Sequence, residues 1–519
     1  MMGKRLINGE NSESQRTTRK LQQLLVIFAL LLMPSLAWGQ TNYGLTIADV
    51  EVTSANATTG ITGDGITGTV TYDATNKILT LENATIEDGI VWDVDDDLTV
   101  EIKGNNSITS SGTIFVAMKI NHSLSFTRGD ATNDCKLELN SGVNPVILGF
   151  SNFNAPTVTD MFWIPTKDSS ETDIVSATIT TSLLGGGAGT ESDPLVISSF
   201  DDLKNFSKYV NCGALTTQYV KLADDLENNT LDCSSGDGFE PIGISYTYYF
   251  GGTFDGNNKT ISGLTYNASG GNYDNRSALF GFIGDDTHQG TVKNLTLKNC
   301  SFTGAENIGG IVAMLKNGTI ENCTVDNCIL TSGNQETVYV GGIVSDISKG
   351  AISGCKVNGG TITGSSTYNT GGGSTYVGGI AGFANTSETI SISSCEVKDV
   401  TINSTHAYTY GYHLGGIIGY CYSGTITISN NTVKGTTNLN CVDNDISNSN
   451  YMYVGAVVGD MGSATYNGNT YESTVKTSKK ISTDDAIVLS GQTERGIGTK
   501  IKCVIQKHNQ MPLISTLQI

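Results

Sequence analysis

Period-two alternation of apolar and polar residues runs through most of the chain. Runs such as "GTVKNLTLKNCSFTG" (290–304), "GTIENCTVDNCILTSG" (318–333) and "GAISGCKVNGGTITG" (350–364) alternate and then break at Gly, Asn or Ser. That pattern predicts half-buried strands ended by turns. A second signal lies between these runs: "IGGIV" at 308–312, "VGGIV" at 340–344, "VGGIA" at 377–381, "LGGII" at 414–418 and "VGAVV" at 454–458. Its first glycine falls at 309, 341, 378, 415 and 455, giving steps of 32, 37, 37 and 40 residues. A period in this range predicts stacked copies, none of which buries enough apolar surface to fold alone.

Aligning the copies puts Leu295, Cys323, Cys355, Cys395, Asn431 and Asn469 in one column. Leu297, Val325, Val357, Val397, Val433 and Tyr471 form another, two residues on. Both columns face the same side of a strand. Columns of like residues are expected of parallel coils ~4.8 Å apart, and not of a radial propeller. Cys300 and Cys328 share a further column. Adjacent coils bring such thiols within disulfide range, but small buried thiols serve as core residues, and a reduced ladder is the expectation. In "FGGTFDGNNKTISGL" (250–264), Phe254, Ile261 and Leu264 read as strand residues and Asp255-Gly256-Asn257 as a corner.

The "GGIV"-type strands followed by "GTI-NC-V" runs resemble the GLUG-motif repeats of bacterial secreted and surface proteins, including some immunoglobulin A proteases. The resemblance covers roughly 191–475, and "FEPIG", "FGGTFDGNNKTISGL" and "ALFGFIG" resemble the segment that precedes those repeats. It marks a repeat unit rather than a reaction. It implies an all-β fold, a right-handed parallel β-helix (β-solenoid). Ala456 stands where the last copy should have its second glycine.

"SSFDDLKNFSKYV" (198–210) is the one segment with a helical stripe, made by Phe200, Leu203, Phe206 and Val210. Ser199 followed by Asp202 predicts a capping box. A short N-terminal helix of this kind is expected to cover the open end of the solenoid. The predicted organisation is a signal peptide (1–39), a second β-rich, β-helix-like module (40–182), a linker (183–194), the solenoid (195–480) and an unassigned tail (481–519). The first module contains "GITGTVTYDATNKILTLENATI", read as strand, Asp-Ala-Thr-Asn turn, strand. It resembles β-helical carbohydrate-binding domains of secreted bacterial proteins, with a β-sandwich as the alternative.

The 519 residues include 62 Gly, 7 Pro and only 15% charged residues, a composition suited to β-structure with many turns. Residues 1–39 carry five basic residues, then "LLVIFALLLM" (24–33), then Ala37-Trp38-Gly39. This reads as an export signal whose apolar run is too short to span a bilayer, and no later segment predicts membrane insertion. Without it the chain keeps 25 basic against 48 acidic residues, a formal charge near −23. Such a surface argues against nucleic acid and other polyanions as partners.

Four candidate sites emerge. "GDDTHQG" groups Asp285, Asp286 and His288, a weak match to the paired carboxylates that an inverting glycosidase needs. Asp93, Asp95 and Asp97 alternate in "VWDVDDDLTV" and suit calcium, the one cofactor the sequence suggests, as hard oxygen ligands. Arg128-Gly129-Asp130 is an adhesion-type tripeptide. Finally, Tyr339, Tyr376, His413 and Tyr453 each precede the residue that opens the glycine signal. If Val340 points in, Tyr339 points out. The stack predicts an external aromatic strip able to hold sugar rings, or merely to stiffen the sheet. The expectation is an exported, non-enzymatic solenoid, adhesin-like, glycan-binding or a spacer, with a glycan or a host or surface protein as ligand. The alternative is a polysaccharide-degrading glycoside hydrolase or lyase on the same scaffold.

Overall fold

Glycine pairs turn the chain where no side chain fits. A Cβ added at Gly341, Gly378 or Gly415 would lie within 2.0 Å of the carbonyl oxygen three residues on, that of Val344, Ala381 or Ile418. A Cβ at the second glycine, Gly342 or Gly379, would lie 2.0 Å from the carbonyl oxygen of the next coil's second glycine. The first glycine thus permits the corner and the second permits close stacking. In a computed structural model, residues 40–518 are described except 111–116, 121, 131–133, 142–144, 150–155, 160, 168–173, 236–237, 269–275, 305, 334–336, 367–372, 407–408, 444–450, 482–495, 499–500 and 509–510. The predicted signal peptide lies outside the described residues.

The chain divides into two compact units, with the boundary between Thr159 and Asp160. The second unit is a stack of parallel coils. Gly309 pairs with Gly341, Gly341 with Gly378, Gly378 with Gly415 and Gly415 with Gly455. Two further faces pair the same way: Val325 with Val357 and Val357 with Val397, and Leu330 with Ile362 and Ile362 with Ile402. The corner between these two faces is a column of left-handed residues: Asn299, Asn327, Gly359, Asp399 and Gly435 all have φ between 52° and 67°. The preceding corner repeats it with Asn294, Asn322, Gly354, Ser394, Asn430 and Gly468. Asn and Gly recur there because few other residues adopt that conformation cheaply.

The inward columns match the aligned sequence. Cys323, Cys355 and Cys395 are buried, each Sγ 3.3–3.4 Å from a carbonyl two residues earlier. Asn431 and Asn469 continue the column. Asn431 donates to the Ile392 carbonyl and accepts from the Cys395 N–H. Neighbouring thiols, and then burial, push Cys355 and Cys395 well above the usual thiol range.

The helix α1 (Phe200–Asn211) begins with the capping box of Ser199 and Asp202. Its buried Leu203, Phe206 and Val210 pack on the first coil, with Phe206 edge-on to Phe250 at 5.5 Å. The 183–194 segment corrects the linker reading. Leu183 is buried in the solenoid core, and the chain around Gly185 and Gly186 pairs with Val196. The unit opens earlier still, with an antiparallel hairpin of Phe162–Lys167 and Ile174–Thr180. At the far end, Gly496-Ile497-Gly498 adds part of another coil: Ile497 bridges Val458 and Gly496 accepts from Val457. An antiparallel pair, Ile501–His508 and Met511–Gln518, then pairs in the opposite sense with Tyr451–Gly455.

The first unit is also built from parallel ladders. Ile78–Glu87 pairs with Leu98–Lys103, and that strand with Leu124–Arg128. Ile90–Trp92, Met118–Ile120 and Ile147–Gly149 form a second ladder. A sandwich of antiparallel sheets is therefore not what forms. The Asp73 turn is as read: its carboxylate accepts from the Thr75 N–H at 2.8 Å and links Ile66–Asp73 antiparallel to Ile78–Glu87. The core holds Tyr72, Trp92 and Phe126.

Candidate functional site

The outward face of the glycine signal is where the largest candidate lies. Val340, Val377, Leu414 and Val454 point inward and are buried, so the preceding residues point outward. Tyr339 and Tyr376 stack at 5.2 Å and 15°, Tyr376 and His413 at 5.0 Å and 26°, His413 and Tyr453 at 5.0 Å and 6°. The four residues are thus one continuous stack. Their ring faces, however, are spent on each other.

A second column, missed from the sequence, covers the flank. Its positions lie seven residues after the first, beyond the glycine pair: Met314, Asp346, Phe383, Tyr420 and Asp460. Phe383 lies 4.9 Å from Tyr376, and Tyr420 stacks on His413 at 4.5 Å and 16°. His413 is consequently only 8% exposed. Aligning the residue fourth after each glycine pair's second member would have revealed this column. Earlier coils carry Arg276 over the Phe282 ring at 4.5 Å.

The electrostatics follow from that burial. The His413 Nδ1 sits 3.6 Å from Asp460, which favours the imidazolium, but Nδ1 makes no hydrogen bond among the described residues. Burial between three rings dominates and pushes His413 down to about 3, leaving it neutral near pH 7. Asp346 is raised to about 7, chiefly by burial, with Arg276 opposing. Burial and then Asp346 raise Tyr339 well above its usual value.

The other candidates are not gathered into sites. Asp285 caps its own loop, accepting from the Thr287 N–H at 2.8 Å. Burial would raise its carboxyl, but bonds from the His288 N–H, Tyr249 and Thr287 hold it well below the carboxylate range. A general acid needs the opposite. Asp286 is exposed, 3.9 Å from Lys316. In the first unit, Asp97 is taken by His122 at 2.5 Å and Asp96 by Lys77. No group of three or more possible metal ligands occurs among the described residues, so Asp93, Asp95 and Asp97 do not converge on a calcium site. Arg128 turns back on its own loop, Nε donating to the Asp130 carbonyl at 2.6 Å.

A polar groove of about 510 Å³ runs beside the second column, between Asp286, Lys316, Lys349, Asn385, Glu388 and Ser423. It lies where strands of successive coils bend, directly after Ile283, Leu315, Ile347, Ala384 and Cys421, which pair in that order.

No protein-family model matches the chain. It is 36% identical over 136 residues to halomucin of Haloquadratum walsbyi, covering 26% of this chain and 1% of that protein. It is 34% identical over 116 residues to a "Putative Gly-rich membrane protein" of Evansella cellulosilytica, covering 22% of this chain and 12% of that one. The chain therefore spans only a small part of the length of these relatives. Among solved structures, a "putative immunoglobulin A1 protease" from Bacteroides ovatus aligns with a TM-score of 0.43 at 19% identity, covering 61% of this chain and 86% of that one. A likeness that loose transfers no activity. Among the described residues no helix is long and apolar enough to cross a membrane.

Proposed function

We propose that the chain is an exported, secreted or cell-surface, non-enzymatic β-solenoid of the GLUG-repeat type, right-handed in its winding. It serves as a stiff spacer that presents ligand-binding surface along its side. One observation carries the reading: the ladders stay in register from Gly309 to Gly455, and the external aromatic columns pack on each other instead of standing open. Such stacks add rigidity, each ring pair contributing ~0.5–1.5 kcal/mol. Tyr339, Tyr376, His413 and Tyr453 then act mainly as a stiffening ladder, with ring edges left for a glycan or a surface protein.

The alternative enzyme reading rests on the Asp285–Asp286 loop bordering the polar groove. Incubating the purified chain with a polysaccharide panel separates the two. The expected result is no release of reducing ends or unsaturated uronates. Turnover abolished by Asp286→Asn would overturn the proposal. Export is checked by fractionation, with Gln40 expected at the N-terminus of the processed chain.

A further inference from the structure

We infer that the groove bordered by Asp286, Lys316, Lys349 and Glu388 is a binding site for an extended, uncharged oligosaccharide. The inference deepens the proposed function by naming a lateral ligand and a place other than the stacked aromatic ladder.

The groove's shape sets the length of its ligand. Its residues come from five successive coils: Asp286, then Lys316, then Lys349, then Asn385 and Glu388, then Ser423. Four coil spacings of ~4.8 Å make it about 19 Å long. A single small molecule does not fill such a track, whereas a linear chain of several units does.

Its chemistry sets the class. Every lining residue is polar or charged. The carboxylates of Asp286 and Glu388 accept hydrogen bonds, the ammonium groups of Lys316 and Lys349 donate, and Asn385 does both. A polyhydroxylated chain presents donors and acceptors at every unit and pairs with such a mixture. A polyanion meets Asp286 and Glu388, and a polycation meets the two lysines, so either is disfavoured. A peptide has neither an apolar pocket nor a free strand edge to use, because the strands flanking the groove are paired on both sides.

Two observations show that the groove is not simply a self-satisfied surface. Neither Lys349 nor Glu388 forms an ion pair among the described residues, and the Lys316–Asp286 approach is loose at 3.9 Å. Beside Ser423, Tyr422 is 57% exposed, one of only three large hydrophobic side chains so exposed among the described residues. It packs edge-on against Tyr420 at 5.8 Å and lies 6.4 Å from Phe383 between centroids, so its faces are not stacked in the ladder. An open ring one residue from Ser423, the last residue of the polar track, offers the apolar platform that a sugar face uses.

The test uses the full chain and calorimetric titration with cello-, xylo- and chito-oligosaccharides of two to six units, and with oligogalacturonates of the same lengths. At least one uncharged series should bind, tightening with length up to about four units, with the uronates weaker. The Lys349→Met/Glu388→Gln variant, altered only at surface positions, should lose tenfold or more in affinity, and Tyr422→Ala a measurable part of that. The triple Tyr→Ala variant at 339, 376 and 453 should bind like wild type if it stays folded. No binding by any uncharged series, a preference for uronates, or affinity indifferent to both groove variants would each overturn the inference. Failure without turnover leaves the spacer reading intact. Binding followed by cleavage of the probe supports the groove and overturns the non-enzymatic reading.

Discussion

Both units stack parallel strands and turn corners on left-handed residues, yet only the second repeats. In the first, the corner pairs Asn83 (φ 48°) with Gly104 (φ 63°), and the ladders are a few strands deep. In the second, the same device recurs over six levels and is joined by glycine pairs that let backbones touch. The first unit fills its core with large rings, Tyr72, Trp92 and Phe126, while the middle coils of the second use Val, Ile, Cys and Asn at fixed places. The difference teaches that corners alone suffice to coil a chain, whereas close, regular stacking demands positions with no Cβ.

The strongest way to break that distinction is to add the missing atoms. Gly379→Val should cost the solenoid ~3 kcal/mol or more, because its Cβ would meet the Gly416 carbonyl at 2.0 Å. Gly104→Ala in the first unit should cost only ~1–2 kcal/mol, for its left-handed backbone and for displacing the Asn83 side chain, whose Oδ1 the new Cβ would meet at 2.2 Å, rather than a backbone carbonyl. Thermal unfolding should show one transition moving in each variant. Equal movement of both transitions by Gly379→Val would show that the units do not differ as described.

A pH difference should follow. Unfolded His413 takes a proton below ~6.5, whereas the folded ring resists until about 3. Stability is therefore lost as pH falls through that window, by about 2 kcal/mol at pH 5. Asp346 acts in the opposite sense. Its folded carboxyl keeps a proton up to about 7 and its unfolded one only to ~3.9, so its contribution is present in acid and lost as pH rises towards 7. Melting temperatures across pH 4–7 should fall towards acid in Asp346→Asn and rise towards acid in His413→Phe. Parallel profiles would exclude this opposition. The first unit's transition should follow neither change.

Ser199→Ala removes the capping box and should lower the solenoid transition alone by about 1 kcal/mol. Smallest in energy is a labelling difference. Cys323, Cys355 and Cys395 should resist alkylation until the solenoid unfolds, while the half-buried Cys212 reacts first, as intact-mass counting will show. Rapid reaction at all three ladder thiols would contradict an inert core.

The repeat made the second unit readable residue by residue. The Cys–Asn column, the outward turn of Tyr339 and the Ser199 cap all follow from local rules of strand alternation and capping, which need no knowledge of neighbours. What stayed hidden depends on packing across a corner. That Tyr376 and His413 lie against Phe383 and Tyr420 is set by the turn angle at the glycine pair, not by alternation. Leu183 looked like part of a linker because a Gly-rich segment reads the same whether it drapes on a core or hangs free. The polar groove is spread over five coils, so no short stretch of sequence contains it. The Arg495-Gly496-Ile497-Gly498 stretch carries a weakened glycine signal, too short to be recognised as another coil.

The reversed strand pair at the far end bears on how such a chain changes length over generations. A stack of identical parallel layers accepts one more layer anywhere, because each layer offers the next the same hydrogen-bonding rim. Ile501–His508 runs the other way against Tyr451–Gly455, so the rim it leaves is no longer the one a coil would recognise. On that face, growth by duplication is thereby favoured in the interior. A segment copied from one first glycine to the next, such as 341 to 378, could be inserted whole while the helix at one end and the reversed pair at the other kept their places. Variation in reach then becomes a matter of copy number within the stack.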